Sequence, residues 1–136
     1  VVVGNGNHTL DGGSGIDTLS FIGNSVDLTA GVTVSLSVTS VQTSGQVSVT
    51  LTGFENLSGS TFGDTLSGDS NANLVAGYQG SDSLSGGDGN DFLLGDATVD
   101  HTTWGVPGPL SDGNGNDTLS GGNGNDTLMG GDGDDL

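Results

Sequence analysis

Aliphatic residues recur every nine positions along much of this chain, and each follows an acidic or amide residue by two positions. Steps of nine from Gly59 place these residues at the sixth position of successive blocks: Asp64, Asn73, Asp82, Asp91 and Asp100. The eighth positions hold Leu66, Val75, Leu84, Leu93 and Thr102, of which only Thr102 is not aliphatic. Each block opens with a glycine-rich run that suits a turn and ends in three residues that suit a short strand with an inward middle side chain. The pattern therefore predicts short strands separated by tight turns.

Two blocks for each coil would give an 18-residue, two-sided stack of parallel strands. The predicted fold class is all-β, a right-handed parallel β-roll, in which the eighth-position side chains form a thin core. That core would contain Leu19, Leu57, Leu66, Val75, Leu84, Leu93, Leu119 and Leu128. Burying each aliphatic side chain contributes roughly 1.5–3 kcal/mol, whereas ordering each residue costs about 1–2 kcal/mol of backbone entropy. The apolar core cannot stabilise the fold alone, so we expect bound ions in the turns.

Two stretches interrupt the repeat. The predicted organisation is repeats over 1–20, a longer-strand insertion over 21–49, the main roll over 50–96, a loop or two degenerate turns over 97–111, and repeats again over 112–136. Val32, Val34, Leu36 and Val38 alternate with polar residues, as do Val47, Val49 and Leu51. This alternation predicts a β-hairpin or a pair of longer strands around 31–52, which extends the sheet.

Composition limits the chemistry. The chain has 16 Asp and one Glu but no Lys or Arg, so a formal charge of −17 has no internal counter-charge and a compact metal-free fold would repel itself. Nucleic acid and anionic membranes are disfavoured partners, because binding them requires basic residues. There is no Cys and no apolar run long enough to span a membrane. Catalytic signatures are absent, and a zinc site is disfavoured because only His8 and His101 are present. The expected counter-ion is Ca²⁺, which takes six to eight oxygen ligands.

The blocks Gly12–Ser20, Gly77–Ser85, Gly86–Leu94, Asp112–Ser120 and Gly121–Met129 match or nearly match G-G-x-G-x-D-x-U-x. This pattern resembles the RTX family of bacterial calcium-binding β-rolls. The resemblance implies that each ion lies between turns two repeats apart, held by both sixth-position residues and by carbonyls of the first four positions. The pairs implied here are Asp64 with Asp82, Asp82 with Asp100, Asp117 with Asp135, and, more weakly, Asn73 with Asp91 or with Glu55.

The complete implied ligand set has side-chain and turn members. The side chains at the sixth position are Asp17, Asp64, Asn73, Asp82, Asp91, Asp100, Asp117, Asp126 and Asp135. The turn residues are Gly12, Gly77, Gly86, Asp88, Gly95, Gly113, Gly115, Gly122, Gly124, Gly130, Gly131, Asp132 and Gly133. His8 stands at a sixth position but is expected to be a tolerated turn residue and not a ligand.

The preferred function is a non-enzymatic, secreted calcium-binding structural module that folds on Ca²⁺ outside a bacterial cell, and the resemblance implies type I secretion. One alternative is the calcium-binding secretion tail of an enzyme such as a protease, lipase or alginate epimerase. Another is an ice- or polysaccharide-binding module, with a cell-surface glycan as ligand. Thr65, Thr118 and Thr127 favour such a face, but Leu74, Ser83 and Phe92 interrupt the row of seventh positions.

The repeat phase also suggests a partner. The last block lacks two residues and the first has two in front of it, so joining two copies would place Val1 at an eighth position. The junction would pair Asp135 with Asp17 of the next copy, and neither end shows a polar cap. Copies stacked head to tail in a filament, surface layer or tandem adhesin are one interpretation. An excised piece of a longer roll is the other.

Overall fold

In the computed structural model, which describes residues 1–22, 28–96 and 115–136, all regular elements are β-strands. These are β1 Gly6–Asp11, β2 Thr18–Ser20, β3 Thr33–Ser35, β4 Gln42–Ser44, β5 Val47–Thr52, β6 Asn56–Ser58, β7 Thr65–Ser67, β8 Leu74–Ala76, β9 Ser83–Asp88, β10 Phe92–Leu94, β11 Thr118–Asn123 and β12 Thr127–Met129. No helix in this part of the chain could cross a membrane.

Consecutive strands from β6 to β12 alternate between two parallel sheets. The first sheet has the order β12-β10-β8-β6-β2 and the second has the order β11-β9-β7-β3. In the first sheet Leu57 pairs with Val75 and Val75 pairs with Leu93, so one coil takes 18 residues as predicted. The fold is all-β with parallel sheets, and this alternation is consistent with a β-roll.

Most of the predicted core is buried. Side chains no more than 1% exposed are Leu19, Leu57, Leu66, Val75, Leu84 and Leu93. Leu119 is only partly buried, and the prediction for Leu128 is wrong, since that residue is 43% exposed. The reason is that β12 is the edge strand of the first sheet in the described residues, so no further coil covers Leu128.

The core near the beginning of the chain is thicker than one stacked side chain. A further set of buried apolar residues joins the same cluster: Val3, Phe21, Val32, Val34, Val47, Val49, Leu51 and Phe54. The alternation predicted over Val47, Val49 and Leu51 is confirmed, because all three are at most 2% exposed in β5. The first part of the chain therefore buries more apolar surface than the nine-residue pattern implies.

The hairpin is shorter than predicted and has a different first arm. It consists of β4 and β5, which are antiparallel and joined through Gly45 and Gln46. Gly45 has φ 56°, as the first loop residue of a type II′ turn requires. The strand expected to extend to Val38 ends at Ser35, because Val38 N–H donates to the Ser35 carbonyl (3.4 Å) and the chain turns there.

β3 instead pairs in parallel with β7, and side chains of β4 bond to its other edge. Thr33 N–H donates to Ser44 Oγ (2.8 Å) and Ser35 N–H donates to Gln42 Oε1 (2.7 Å). Gln42 Nε2 donates in return to the Ser35 carbonyl (2.7 Å). The Gln42 amide thus replaces a peptide group, which connects the second sheet to the three-stranded sheet β1-β5-β4.

The position predicted for His8 is wrong. His8 lies in the middle of β1 and not in a turn, with Nε2 2.9 Å from the Gly4 carbonyl oxygen. β1 pairs along its whole length with β5, from Gly6 opposite Val47 to Asp11 opposite Thr52. Pairing with the long strand β5 extends the first block into a six-residue strand.

Candidate metal sites

The sixth-position residues form two rows, each immediately before the strands of one sheet. The row before the first sheet contains Asp17, Glu55, Asn73, Asp91 and Asp126, and the row before the second sheet contains Asp64, Asp82, Asp117 and Asp135. Except between Glu55 and Asn73, the backbone N–H of each member donates to the side chain of the next. These bonds are Asp17 to Glu55 (2.8 Å), Asn73 to Asp91 (2.8 Å), Asp91 to Asp126 (2.9 Å), Asp64 to Asp82 (2.7 Å), Asp82 to Asp117 (2.8 Å) and Asp117 to Asp135 (3.0 Å).

Asp117 occupies the place that the count of nine assigned to Asp100. It accepts the Asp82 N–H, and a Cβ added to Gly95 would overlap its Oδ2. The row therefore continues from Asp82 to Asp117, and Gly115 N–H donates to Asp96 Oδ1 (3.4 Å). Asp100 and Gly113 lie outside the described residues. The predicted pair of Asp82 with Asp100 is replaced by Asp82 with Asp117.

Three carboxylates in these rows have an oxygen without a partner. Within residues 1–22, 28–96 and 115–136, the buried Oδ2 atoms of Asp82, Asp91 and Asp117 accept no hydrogen bond, and these residues are at most 3% exposed. A buried, unpaired carboxylate oxygen carries a large desolvation penalty. Protein groups leave these oxygens unsatisfied, which indicates that a cation is the missing partner.

The orphaned oxygens point into small cradles beside turn glycines. A Cβ at Gly77 would overlap Asp82 Oδ2 and would lie 2.8 Å from the carbonyl oxygen of Gly95, one coil further on. At Gly86 a Cβ would overlap Asp91 Oδ2. Only glycine leaves this space open, so a carboxylate oxygen and a backbone carbonyl can face the same point.

Burial and mutual repulsion raise the pKa values of the same carboxyls. Burial, together with repulsion from the Asp64, Asp117 and Asp96 carboxylates, raises the pKa of Asp82 to about 7, although the hydrogen bond from Asp64 N–H opposes the shift. The pKa of Asp91 is raised by burial and then by Asp126, Asp69 and Asp88. The pKa of Asp117 is raised by burial and then by Asp96 and Asp135. Each site therefore favours a bound positive charge, either a proton or a metal ion.

The donor set fits calcium. Within residues 1–22, 28–96 and 115–136 no three acidic, His or Cys side chains converge as a metal site, so backbone carbonyls would have to complete the coordination. Ca²⁺ accepts mixed carboxylate and carbonyl oxygens at flexible geometry. Asp82, Asp91 and Asp117 could hold such ions, whose chemical contribution would be to neutralise the buried charge.

Other predicted ligands lie in the same turns but are less buried. Asp126 is half-buried and Asp135 is exposed. Asp88 and Asp132 are exposed, and Asp88 Oδ1 accepts a bond from Asn123 Nδ2 (2.8 Å). The turn glycines Gly122, Gly124, Gly131 and Gly133 have positive φ, and Gly12, Gly115 and Gly130 pack against turn oxygens of the rows or neighbouring coils.

Two predicted ligands have no orphaned oxygen. Asp64 accepts hydrogen bonds on both oxygens, from Val32 N–H, Ser60 N–H and Ser60 Oγ. Asn73 accepts a bond from Asp69 N–H (2.8 Å) and donates one to the Glu55 carbonyl (2.8 Å). These turns are therefore satisfied without an ion.

Sequence reasoning missed Asp96. This residue is fully buried, and its carboxylate accepts bonds from Gly115 N–H (3.4 Å) and Asp132 N–H (2.8 Å). Asp96 therefore contacts Gly115, on the other side of residues 97–114, and also Asp132 in the next coil. The available signal was an Asp at the second position of a block, where Gly87 and Gly122 stand elsewhere.

Comparison with protein families agrees with this geometry. The family model of the RTX calcium-binding nonapeptide repeat describes four copies of the repeat. It matches residues 2–20, 50–82, 58–93, 67–101 and 110–136, which together cover more than half of the chain. The chain belongs to this family. The RTX repeat is a calcium-binding module and not a catalytic family. Residues 21–49 of this RTX chain, which contain β3 and β4, lie outside the match. No curated protein matches the chain.

Proposed function

We propose that the protein is a calcium-stabilised structural module in which ions bound between successive coils close the turns. The observation that carries this proposal is the set of buried, unpartnered Oδ2 atoms of Asp82, Asp91 and Asp117. The other oxygen of each carboxylate, Oδ1, accepts the backbone N–H of the preceding member of its row. Ca²⁺ would supply the counter-charge that a chain without Lys or Arg lacks.

The test is a calcium titration followed by circular dichroism and calorimetry. We expect β signal to increase with Ca²⁺ and to decrease on adding EGTA, because ion binding to the folded state adds directly to its stability. Mg²⁺ is the control ion, since it demands a smaller octahedral site and keeps its waters. A β signal of equal size in EGTA and in Ca²⁺ would refute the proposal.

We infer an extracellular or cell-surface location, where high free Ca²⁺ would fold the chain after export. Support comes from the chain's membership of the calcium-binding RTX family, because the resemblance to that family implies type I secretion. Head-to-tail stacking into a filament, surface layer or adhesin stays a prediction. Light scattering with Ca²⁺ and then with EGTA tests it, and a protein that stays monomeric in millimolar Ca²⁺ would exclude it.

A second candidate function is binding of an uncharged, periodic ligand, either ice or a neutral polysaccharide, to the outer face of the second sheet. The specific observation is a register of exposed hydroxyl side chains: Thr33, Thr65, Ser83 and Thr118 are neighbours across four strands. The Ser35, Ser67, Ser85 and Ser120 side chains form a second row beside them. Leu74 and Phe92, which interrupt the sequence pattern, belong to the first sheet and not to this face.

The matched variants for this candidate are Thr65→Tyr on the second sheet and Thr127→Tyr on the first, both at exposed positions. A tyrosine in the middle of the hydroxyl face would project beyond the short Thr and Ser side chains and interrupt their register, whereas the same change on the other sheet would leave this face unchanged. Ice-growth inhibition and polysaccharide pull-down are separate assays that distinguish the ligands. Equal losses in both variants, or no binding by the native chain, would exclude this candidate.

A further inference from the structure

We propose that calcium dependence is uneven along the chain: the turns ending at Asp82, Asp91 and Asp117 depend on Ca²⁺, whereas the turns ending at Asp64 and Asn73 are closed by the protein's own hydrogen bonds. The inference rests on the proposed calcium-binding function and divides it along the chain. The two groups of turns differ in whether the buried sixth-position side chain has an oxygen without a partner.

Asp64 differs from Asp82 although both are buried members of one row. Asp64 Oδ1 accepts Val32 N–H (2.7 Å) and Ser60 Oγ (3.0 Å), and its Oδ2 accepts Ser60 N–H. In contrast, among the residues that the structure describes, Asp82 Oδ1 accepts Asp64 N–H alone and its Oδ2 has no partner. Burial raises the pKa of Asp64, but the three protein donors oppose that rise and supply partners that a cation would otherwise provide. Val32, contributed by the segment outside the repeat match, and Ser60 take the place of an ion here.

The second residue of the turn decides where its N–H points. Ser60 N–H donates into its own turn, to Asp64. Tyr78, at the same position of the next turn in that row, has φ 87° and donates to the carbonyl oxygen of Gly95 (3.0 Å). Asp82 therefore loses the donor that Asp64 has, and its Oδ2 remains free for a cation.

Asn73 replaces an ion in the other row. Its Oδ1 accepts Asp69 N–H (2.8 Å) and its Nδ2 donates to the Glu55 carbonyl (2.8 Å), while the residue is 4% exposed. A carboxylate offers only acceptors, but an amide brings its own donors. The contact between the turns at Glu55 and Asn73 is thus completed by an N–H and needs no metal.

Packing and charge follow the same division. The buried phenylalanines Phe21 and Phe54, and the valines of β3 and β5, all precede Gly77. Of the 17 acidic residues, 11 lie in residues 77–136, where the aliphatic positions Leu119 and Leu128 are only partly covered. The first part has apolar burial to stabilise it, whereas the later part combines dense negative charge with orphaned oxygens.

Hydrogen exchange measured by mass spectrometry on the full chain tests the division. In EGTA we expect slow exchange in peptides from β5 to β8 and free exchange in peptides from β9 to β12, with Ca²⁺ protecting the latter. If no peptide is protected in EGTA but the whole chain is protected in Ca²⁺, the division is wrong and the proposed function stands. If protection is the same throughout in both conditions, calcium dependence itself is wrong.

The variant Asn73→Asp supplies the second arm. It removes the Nδ2 donor to Glu55 and adds a charge near Asp69 and Asp91, so we expect exchange in β6 and β8 in EGTA to accelerate about tenfold or more, with recovery in Ca²⁺. Asn7→Asp, which adds the same charge at an exposed residue of β1, is the matched control and should change exchange little. Unchanged protection in Asn73→Asp, or equal loss in both variants, would overturn the inference.

Discussion

Replacing Asp82 by Asn should stabilise the calcium-free fold and weaken the calcium-bound one. The carboxyl has its pKa raised from 3.8 to about 7 by burial and by neighbouring carboxylates, so keeping it ionised in the metal-free fold above neutral pH costs about 4 kcal/mol. Asn73 shows that this chain accommodates an amide at a sixth position. In Ca²⁺, however, the loss of the Asp82 carboxylate removes a charged ligand whose Oδ2 has no protein partner among the described residues. We expect the apparent calcium affinity to fall on the order of tenfold or more.

The assay is folding induced by trimethylamine N-oxide in EGTA at pH 8, followed by circular dichroism, together with a calcium titration in buffer. The osmolyte favours the compact state without supplying charge, so its midpoint reports the stability of the metal-free fold. Asp82→Asn should lower that midpoint and raise the calcium midpoint. Asp134→Asn, an exposed carboxylate with the same charge change, is the control and should move both midpoints little. If Asp82→Asn is destabilised in both conditions, or behaves as the control does, the conclusion that the buried Asp82 carboxylate is uncompensated without Ca²⁺ is refuted.

Three further predictions concern pH, the core and the hairpin. Because the folded pKa of Asp82 is raised, the stability that it contributes without Ca²⁺ is fully present below pH 3.8 and is lost as pH rises through about 7, so β signal in EGTA should increase on acidification; a decrease throughout that range would contradict this. Leu57→Ala should destabilise the calcium-bound protein by about 2–5 kcal/mol in denaturant unfolding, whereas Leu128→Ala, at a 43% exposed position, should have a much smaller effect, and equal losses would disprove the burial assignment. Gln42→Ala removes both bonds to Ser35 and should cost about 1–3 kcal/mol, measured by unfolding and by faster exchange of β3 and β4; unchanged exchange would contradict this.

Local periodicity was sufficient to predict many of the strands and core positions. The nine-residue repeat alone located the short strands β6 to β10 and their buried Leu57, Leu66, Val75, Leu84 and Leu93. These positions are readable because each turn and strand is encoded within a few neighbouring residues, and equal spacing places the next coil in register. The absence of basic residues likewise indicated a metal counter-ion before any contact was known.

The nine-residue count gave wrong assignments where contacts join residues that are distant in sequence. Asp117, 35 residues from Asp82, takes the position assigned to Asp100, because the row is set by the contact between Asp82 N–H and the Asp117 carboxylate and not by the number of residues between them. The separation of β3 from its expected hairpin partner has the same cause, since its pairing with β7 is made across 32 residues. The seventh positions, which the sequence analysis treated as one row, divide between the two sheets: Leu74, Phe92 and Thr127 lie on the first, and Thr65, Ser83 and Thr118 lie on the second.

The sequence by itself determined the repeat and the buried aliphatic positions of β6 to β10, and it predicted a requirement for cations, since these depend on spacing and total charge. Only the tertiary structure decided which carboxylates lack a partner. Asp64 and Asp82 occupy the same position in the same motif, yet Val32 and Ser60 satisfy one while the other keeps a free oxygen. The physical reason is that hydrogen-bond satisfaction in a buried turn is set by donors from other coils and by the local direction of a single N–H, neither of which a nine-residue count contains.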